Sequence, residues 1–338
     1  MKVLVTGGAG YIGSHTILEL IELGYTAITS VDNYLNSNKK TFQRIKKISG
    51  VEIKNYEVDL TNLSEVEKLF SNNSFDSVIH FAALKSVPES VEVPNLYYKN
   101  NLNSLINVLD CMIKNNVYSL IFSSSCSIYG NPATLPVTEI EPFGKAESPY
   151  AHTKQIGEEI LKNFCKTNPG FKSISLRYFN PAGAHKSALI GEDISERPNN
   201  LVPIITQTAG GMREKITVFG SDYNTKDGSC IRDYIHVSDI ANAHVKAIEY
   251  LDKTTENYTV INLGSGTGST VLELLQVFEK VNGVNLNYEV GERRAGDVEA
   301  IFANNSLAKE VLKWEPQYDI EEILKSAWKW QKNAASTA

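Results

Sequence analysis

A glycine-rich segment near the start of the chain is the feature that most constrains its fold. A short β-branched run from Lys2 to Thr6 leads directly into the sequence GGAGYIG, and apolar residues then recur at helical spacing from Ile12 to Leu23. A second strand-like run begins at Ala27 and ends at Asp32. The order of strand, glycine loop, helix, strand and acid is typical of a dinucleotide-binding βαβ unit.

The chemistry of this unit favours one cofactor. Glycines allow a tight turn and a close approach to a pyrophosphate, whose charge lies at the N-terminus of the following helix. Asp32, nineteen residues after Gly13, is placed to accept a hydrogen bond from an adenosine ribose hydroxyl. Because a carboxylate there repels the extra phosphate of NADP, the sequence predicts NAD as the cofactor.

The bulk composition excludes several classes of function. The chain has 338 residues, 42% of them hydrophobic, which is enough for a large core and favours two domains. A net charge of -6 does not provide the positive charge that binds nucleic acid or an anionic membrane. The four cysteines have no Cys-x-x-Cys spacing, which indicates a reducing compartment and no cysteine zinc site. We therefore expect a soluble cytoplasmic α/β protein without a metal, nucleic-acid or membrane partner.

Alternation of strand and helix patterns through the first 180 residues predicts a doubly wound, Rossmann-like parallel sheet. The pattern predicts strands at 51–58, 76–81 and 119–125 and a long helix at 95–114. In such sheets ligands bind at the carboxyl ends of the strands. Ser125 ends one of these strands, so it is expected beside the cofactor.

The second half of the chain has a different character. An irregular stretch rich in Pro and Gly predicts a domain boundary and a substrate-facing loop at 181–200. We expect an NAD-binding domain at 1–180 and a smaller α+β domain, mainly for the substrate, at 181–338. A helix at 233–251 and a buried strand at 258–263 are expected to return to the first sheet, as part of a segment spanning 232–263.

A second motif places a tyrosine and a lysine on one face of a helix. Pro149 opens an amphipathic pattern, so that Tyr150 and Lys154 lie one turn apart. An ammonium beside a phenol lowers the pKa of the phenol. A decrease from about 10 to about 7 requires about 4 kcal/mol, which needs a second positive group such as an oxidised nicotinamide ring. By itself the spacing is also that of an ordinary surface pair.

These motifs together resemble the extended short-chain dehydrogenase/reductase superfamily. The resemblance lies in GGAGYIG, Asp32 at its strand end, SSSCSIYG at 123–130 and Tyr150-x-x-x-Lys154. Five further segments narrow it to the UDP-glucose 4-epimerase (UDP-galactose 4-epimerase) family over essentially the whole chain. They are HFAALKSV at 80–87, LRYFNPAGAH at 176–185, NNLVP at 199–203, RDYIHVSDIA at 232–241 and RRAGD at 293–297.

The resemblance implies a reaction and an assembly. It implies a homodimer that interconverts UDP-glucose and UDP-galactose with NAD. In that reaction Tyr150 would act as base on the sugar 4-hydroxyl while hydride passes from C4 to NAD. The 4-keto sugar would then turn over and take the hydride back on its opposite face. Ser125 would hydrogen-bond the reacting oxygen, and Lys154 would hold the nicotinamide ribose.

The resemblance also implies two sets of binding residues. The NAD contacts would be Gly7, Gly10, Tyr11, Ile12, Gly13, Asp32, Asn33, Asp59, Leu60, Phe81, Ala82, Lys85, Asn100, Ser125, Tyr150, Lys154 and Tyr178. The UDP-sugar contacts would be Lys85, Ser125, Tyr150, Asn180, Asn200, Leu201, Phe219, Arg232, Arg294, Asp297 and Ile301. Arginines suit a diphosphate because each offers paired donors, although arginines also form ordinary surface ion pairs.

Ile301 departs from the family's pattern. In the resembled enzymes a large tyrosine at this position, beside the sugar's 2-substituent, goes with UDP-glucose and UDP-galactose, and a small cysteine or serine goes with N-acetyl sugars. Ile301 is smaller than tyrosine, but its β-branching restricts its rotamers. We therefore expect UDP-galactose as the preferred substrate, with weak action on UDP-N-acetylgalactosamine. The alternative is that Ile301 is a core residue that points away from the sugar.

Three other functions remain open from the sequence. One is a UDP-N-acetylglucosamine 4-epimerase. Another is a sugar-nucleotide 4,6-dehydratase, which needs Asp-Glu just after the strand-end hydroxyl, where this chain has Cys126 and Ser127. The third is a non-catalytic NAD-sensing protein, which would not need Tyr150, Lys154 and Ser125 together.

Overall fold

A computed structural model describes residues 1–192, 198, 200–294 and 297–336. Part of the predicted loop at 181–200, the first Asn of NNLVP and the Ala-Gly pair of RRAGD lie outside the described residues. The strands, numbered along the chain, are β1 (Lys2–Thr6), β2 (Ala27–Val31), β3 (Lys54–Tyr56), β4 (Ser77–His80), β5 (Ser119–Ser125), β6 (Lys172–Tyr178), β7 (Asn180–Ala182), β8 (Ile216–Phe219), β9 (Ile231–Arg232), β10 (Tyr234–His236), β11 (Tyr258–Leu263), β12 (Ser269–Thr270), β13 (Tyr288–Gly291) and β14 (Ala300–Ile301).

The helices alternate with the strands in the first half of the chain. They are α1 (Tyr11–Glu22), α2 (Lys40–Ser49), α3 (Leu63–Ser71), α4 (Val87–Glu92), α5 (Pro94–Lys114), α6 (Pro149–Thr167), α7 (Leu201–Ala209), α8 (Val237–Lys253), α9 (Val271–Asn282) and α10 (Ile320–Ser336).

Among the residues that the structure describes, no helix combines the length and the apolar character that a bilayer crossing requires.

Seven strands form one parallel sheet in the order β11-β6-β5-β4-β1-β2-β3. The doubly wound sheet predicted from the sequence is therefore confirmed. The strand order reverses between β1 and β4, and the crevice outside the carboxyl ends of these two strands is where such sheets bind ligands.

Helices cover both faces of this sheet because its central strands are apolar on both sides. In β1, Val3 and Val5 pack with α1 and α8 on one face. Leu4 packs with α3, α5 and α6 on the other face. This alternation follows from the two-residue period of side chains along a strand.

The remaining elements surround a separate apolar cluster. Helices α7, α9 and α10 pack there with β8 and β10. Strand β8 pairs in parallel with β13, and β9 lies between β12 and β14. Strand β11 forms the edge of the large sheet beside β6. The division of the chain near residue 180 stays a prediction.

Two predicted boundaries were wrong. The helix predicted at 233–251 begins only at Val237, because Tyr234–His236 forms strand β10 and pairs with β7. His236 is extended, and its ring nitrogen accepts a hydrogen bond from the amide of Ser238, which starts the helix there. The strand predicted at 51–58 is limited to Lys54–Tyr56, since it lies at the sheet edge and pairs only with β2.

Candidate functional site

The glycine loop packs more tightly than any other residue type would allow. Gly7 has a φ of +69°, and a Cβ there would lie 2.9 Å from the amide nitrogen of Ala82. A Cβ on Gly13 would lie 2.3 Å from the carbonyl oxygen of Gly7. Glycine therefore allows the first turn of α1 to lie directly against the ends of β1 and β4, as a pyrophosphate site requires.

A cavity runs from this loop along the carboxyl edge of the sheet. Its wall includes the glycine loop, the end of β2, the segment after β4 and the start of α6. Of the residues predicted to contact NAD, Ser125 is the exception that does not line it. Those that do are Gly7, Gly10, Tyr11, Ile12, Gly13, Asp32, Asn33, Asp59, Leu60, Phe81, Ala82, Lys85, Asn100, Tyr150, Lys154 and Tyr178.

Asp32 is fixed by three donors at one end of the cavity. One carboxylate oxygen accepts from the amide of Ala9 at 3.0 Å, and the other accepts from the amide of Tyr34 at 2.9 Å and from Ser37 Oγ at 2.8 Å. Ser37 also lines the cavity and was not among the predicted site residues. The polar run NYLNSN after the strand was the available signal.

Tyr150 lies at the other end, in the first turn of α6. That helix is capped by Ser148, whose Oγ accepts from the amide of Ala151 at 3.2 Å. Burial raises the pKa of Tyr150 to about 12, although a hydrogen bond with Ser125 lowers it in part. Ser125 ends β5, so strand and helix bring the two hydroxyl groups together.

Lys154 is buried one turn further along α6. Its Nζ donates to the carbonyl oxygen of Ser123 at 2.6 Å and to Ser123 Oγ at 3.2 Å. It lies 5.8 Å from the centre of the Tyr150 ring. Burial lowers the pKa of Lys154 to about 7, while the carboxylate of Glu158 raises it.

The prediction that Lys154 lowers the pKa of Tyr150 was therefore wrong for the chain without a ligand, in which the pKa of Tyr150 is raised. The Lys154 ammonium is directed at the end of β5, and burial acts against the charged form of both side chains. A further positive group beside Tyr150 is needed to form the phenolate.

A buried ion pair behind the site holds α6 against the sheet. Arg177 on β6 donates to Glu158 through Nε at 3.0 Å and through a terminal nitrogen at 2.7 Å. Ser124 on β5 donates to the same carboxylate at 2.5 Å. Both charged side chains are almost fully buried. These contacts join α6 to two strands and fix the position of Tyr150 and Lys154 in the cavity wall.

Four of the predicted UDP-sugar residues form a second cluster. Asp297 accepts from Arg294 at 2.7 and 3.2 Å, and a terminal nitrogen of Arg232 lies 3.5 Å from it. The Arg294 guanidinium lies over the ring of Phe219, 5.4 Å from its centre. Two cations, a carboxylate and an aromatic ring thus occur together, which suits a diphosphate, a ribose and a base.

In the described part of the chain, the other predicted substrate residues form no hydrogen bond or ion pair with Asp297, although the strand of Ile301 pairs with that of Arg232. Asn180 begins β7, and its Oδ1 is buried with no hydrogen-bond partner among the described residues. Asn200 and Leu201 start α7. Ile301 is 5% exposed, packs with Val137 and Phe179, and is in register with Arg232 across β14 and β9. An unpaired buried oxygen such as Asn180 Oδ1 suits a ligand hydroxyl.

Comparison with known proteins decides the family. The model of the NAD dependent epimerase/dehydratase family matches residues 3–264. The chain belongs to this family.

Individual members are similar over the full length. The chain is 46% identical to "UDP-glucose 4-epimerase 2" of Arabidopsis thaliana, an alignment that covers 98% of this chain and 95% of the relative. It superimposes with a TM-score of 0.97 and 41% identity on a UDP-glucose-4-epimerase from Stenotrophomonas maltophila with bound NAD and formylated UDP-arabinopyranose. The TM-score is 0.95, at 42% identity, for a UDP-glucose 4-epimerase from Bifidobacterium longum in complex with NAD+ and UDP. Both structural alignments cover 100% of each chain.

Asn101 and Glu192 also shape the site, although neither was among the predicted site residues. Asn101 uses its side chain to bond both the amide and the carbonyl of Leu84, at 2.8 and 3.0 Å, which fixes the segment after β4. Glu192 lines the cavity beside Lys85. The spacing of Asn101 on α5 gave no means to distinguish it from Asn100, and an acid beside an anion site has no sequence signal.

We expect the stability of the protein to rise with pH through Lys154. Burial holds the pKa of Lys154 at about 7 in the folded chain, against about 10.4 in the unfolded chain, so the unfolded chain binds more protons between these values. Relative to Lys154→Met, the wild-type free energy of unfolding should therefore rise above about pH 7, by at most about 1.4 kcal/mol per pH unit. Below that pH the difference should be flat.

Denaturant unfolding at a series of pH values measures both free energies. Lys162→Met, on the exposed side of the same helix, is the control for replacing a lysine of α6 by methionine. A difference between wild type and Lys154→Met that stays constant or falls between about pH 7 and about pH 10 would contradict this account of Lys154.

Proposed function

We propose that this chain interconverts UDP-glucose and UDP-galactose by inverting C4 of the sugar, with NAD as a bound cofactor. One observation carries the proposal. Tyr150 and Lys154 lie in the wall of the same cavity as the glycine loop and Asp32. A proton acceptor is thus held beside a dinucleotide site, and relatives of 41–46% identity are named UDP-glucose 4-epimerases.

The residues that line the cavity suit NAD. Close packing at Gly7 and Gly13 holds α1 against the sheet, and its N-terminus has no side-chain cap among the described residues, so its first amides can donate to a pyrophosphate. Asp32 lies at the adenosine end, where its carboxylate accepts from ribose hydroxyls and repels a ribose phosphate. Lys154 lies at the nicotinamide end. When bound, NAD supplies a group that takes hydride from C4 and gives it back.

The chain's own residues handle the proton and the sugar. Tyr150 takes the proton of the 4-hydroxyl on its Oη and later returns it, and Ser125 donates a hydrogen bond to the reacting oxygen. Because burial raises the pKa of Tyr150, the reactive form depends on nearby positive charge from Lys154 and from the oxidised cofactor. Proton transfer is then coupled to the redox state of the site.

The diphosphate and nucleoside of the substrate fit the second cluster. Arg232 and Arg294 provide fork-shaped donors for phosphate oxygens, and Asp297 provides an acceptor for ribose hydroxyls. The ring of Phe219 lies next to them. Asn180 has a buried acceptor without a partner among the described residues, which a sugar hydroxyl can satisfy.

Two alternatives are less well supported. A 4,6-dehydratase needs two carboxyl groups after Ser125, but the turn there carries Cys126 and Ser127. Burial raises the pKa of the Cys126 thiol to about 12, so the thiol stays protonated near neutrality and cannot serve as the base. A protein that only senses NAD would not need the tyrosine, the lysine and the strand-end serine together.

We also propose that the enzyme works as a homodimer in the cytoplasm. The family resemblance supports the dimer, as do the exposed apolar side chains of Leu96 and Ile106 on α5. Four unpaired cysteines suit a reducing compartment.

Tyr150→Phe should lower the turnover of UDP-galactose by about 10²–10⁴-fold, because it removes the proton acceptor. The amount of NAD bound to the purified protein should stay unchanged. Turnover is measured by coupled detection of UDP-glucose, and the exposed Tyr118→Phe is the matched control. A loss of less than about tenfold would exclude Tyr150 as the base.

Ile301 should set selectivity at the 2-position of the sugar. Ile301→Cys should raise kcat/KM for UDP-N-acetylgalactosamine, and Ile301→Tyr should abolish that activity while keeping UDP-galactose as a substrate. One or two methylenes in a pocket are worth about 1–3 kcal/mol, or roughly 10–200-fold in kcat/KM.

The measurement is kcat/KM for both sugars on the wild type and on both variants. The burial of Ile301 against Val137 and Phe179 also allows a core role, in which neither substitution changes the ratio of the two values. That result, or equal efficiency of the wild type on both sugars, would end the selectivity proposal.

A further inference from the structure

A carboxylate forms part of the cavity wall although the proposed ligands are anions. The side chain of Glu192 lines the same cavity as the glycine loop and Lys85. Its side chain is 16% exposed. Since a nucleotide sugar brings two phosphate charges, a negative group at this place works against binding unless it has a function of its own.

The backbone at Glu192 is held firmly from behind. Trp330 on α10 donates its ring N–H to the carbonyl oxygen of Glu192 at 2.9 Å. Gly191 lies so close to the same ring that a Cβ would stand 2.5 Å from it. Gly191 also bridges to Ala184. Only the side chain of Glu192 is therefore free to change its contacts.

The Glu192 side chain accepts hydrogen bonds from two side chains that are proposed to bind ligands. One oxygen, Oε1, accepts from Lys85 Nζ at 2.9 Å and from Asn200 Nδ2 at 3.1 Å. Lys85 belongs to the proposed NAD and sugar-nucleotide contacts, and Asn200 to the proposed UDP-sugar contacts. The Lys85 side chain is 62% exposed, so it can turn from the carboxylate to another anion.

We propose that Glu192 is an internal competitor of the sugar nucleotide. Its carboxylate holds Lys85 and Asn200 until a phosphate or hydroxyl oxygen of the ligand takes its place. In this role Glu192 weakens the binding of substrate and product to the same extent, which favours product release. The inference rests on the proposed function, because it takes a nucleotide diphosphate as the ligand.

A positioning role for Glu192 predicts the opposite effect of its removal on the affinity for the ligand. If Glu192 only positioned Lys85 and Asn200 for the ligand, its removal would weaken binding. If it competes, removal of its charge strengthens binding, because the repulsion disappears and Lys85 becomes available. Charge repulsion is also screened by salt, whereas loss of positioning is not.

The test measures the dissociation constant of UDP by calorimetry on the protein as purified, with its cofactor. Glu192→Gln keeps the shape of the side chain and removes its charge. We expect its Kd for UDP to be about three- to tenfold lower than that of the wild type, with a parallel decrease in KM for UDP-galactose. The ratio of the two Kd values should approach one as the ionic strength rises.

Control variants show whether a change in the Kd for UDP is specific to the charge of Glu192. Glu52→Gln removes a carboxylate of the same kind from the exposed pair with Lys46 and should leave the Kd for UDP unchanged. Glu192→Ala serves as a second variant and should also bind UDP more tightly than the wild type. Bound NAD and the melting temperature of each variant verify folding.

An unchanged or higher Kd in both Glu192 variants would overturn the competitor role. A wild type that binds no UDP and turns over no UDP-galactose would instead contradict the proposed function. The two failures are therefore distinguishable in the same set of titrations.

Discussion

The contact between the glycine loop and the ends of β1 and β4 is the constraint on which the rest of the structure depends. A Cβ would lie 2.9 Å from the amide nitrogen of Ala82 at Gly7 and 2.3 Å from the carbonyl oxygen of Gly7 at Gly13, and one on Gly8 would lie 2.1 Å from Ser30 Oγ on β2. Any side chain at these positions would move α1 away from the sheet. Because α1 lies close, its N-terminal amides face the crevice where the strand order reverses, and the cavity forms there.

The chemistry depends on a second constraint, which is the placement of α6. A buried lysine is costly in a protein interior, and its charge is disfavoured by burial. Lys154 is held by the carbonyl of Ser123, and Glu158 on the next turn is held by Arg177. A buried pair of this kind is costly to break, since removal of one partner leaves an unpaired charge. The pair therefore fixes the position of α6 more than it adds to the free energy of folding.

The structural elements that depend on a local sequence pattern could be predicted from the sequence. The glycine loop, β1, β2 and the acid at Asp32 follow from spacing within about thirty residues, and the structure has them at the expected places. The start of α8 was misplaced because strand β10 exists only through its pairing with β7, more than fifty residues away in the chain. Long-range pairing overrides local preference at such places.

The contacts around the site could not be predicted from local patterns either, because they join residues that are far apart in the chain. Glu192 meets Lys85 across 107 positions of the chain, and Arg177 meets Glu158 through the packing of α6 on β6. The direction of the Tyr150 pKa shift also depends on burial, which spacing alone does not reveal. Motif spacing identifies groups that react, while the groups that position or oppose them become visible only in three dimensions.

The central claim is that the cavity holds NAD and reuses it in an isomerisation. The most direct measurement is a coupled assay of UDP-glucose formation from UDP-galactose by the purified protein with no added cofactor, followed by identification of the nucleotide released on denaturation. The account predicts turnover without added NAD and mainly NAD in the extract. No turnover in either the absence or the presence of added NAD, or an extract containing mainly NADP, would contradict it.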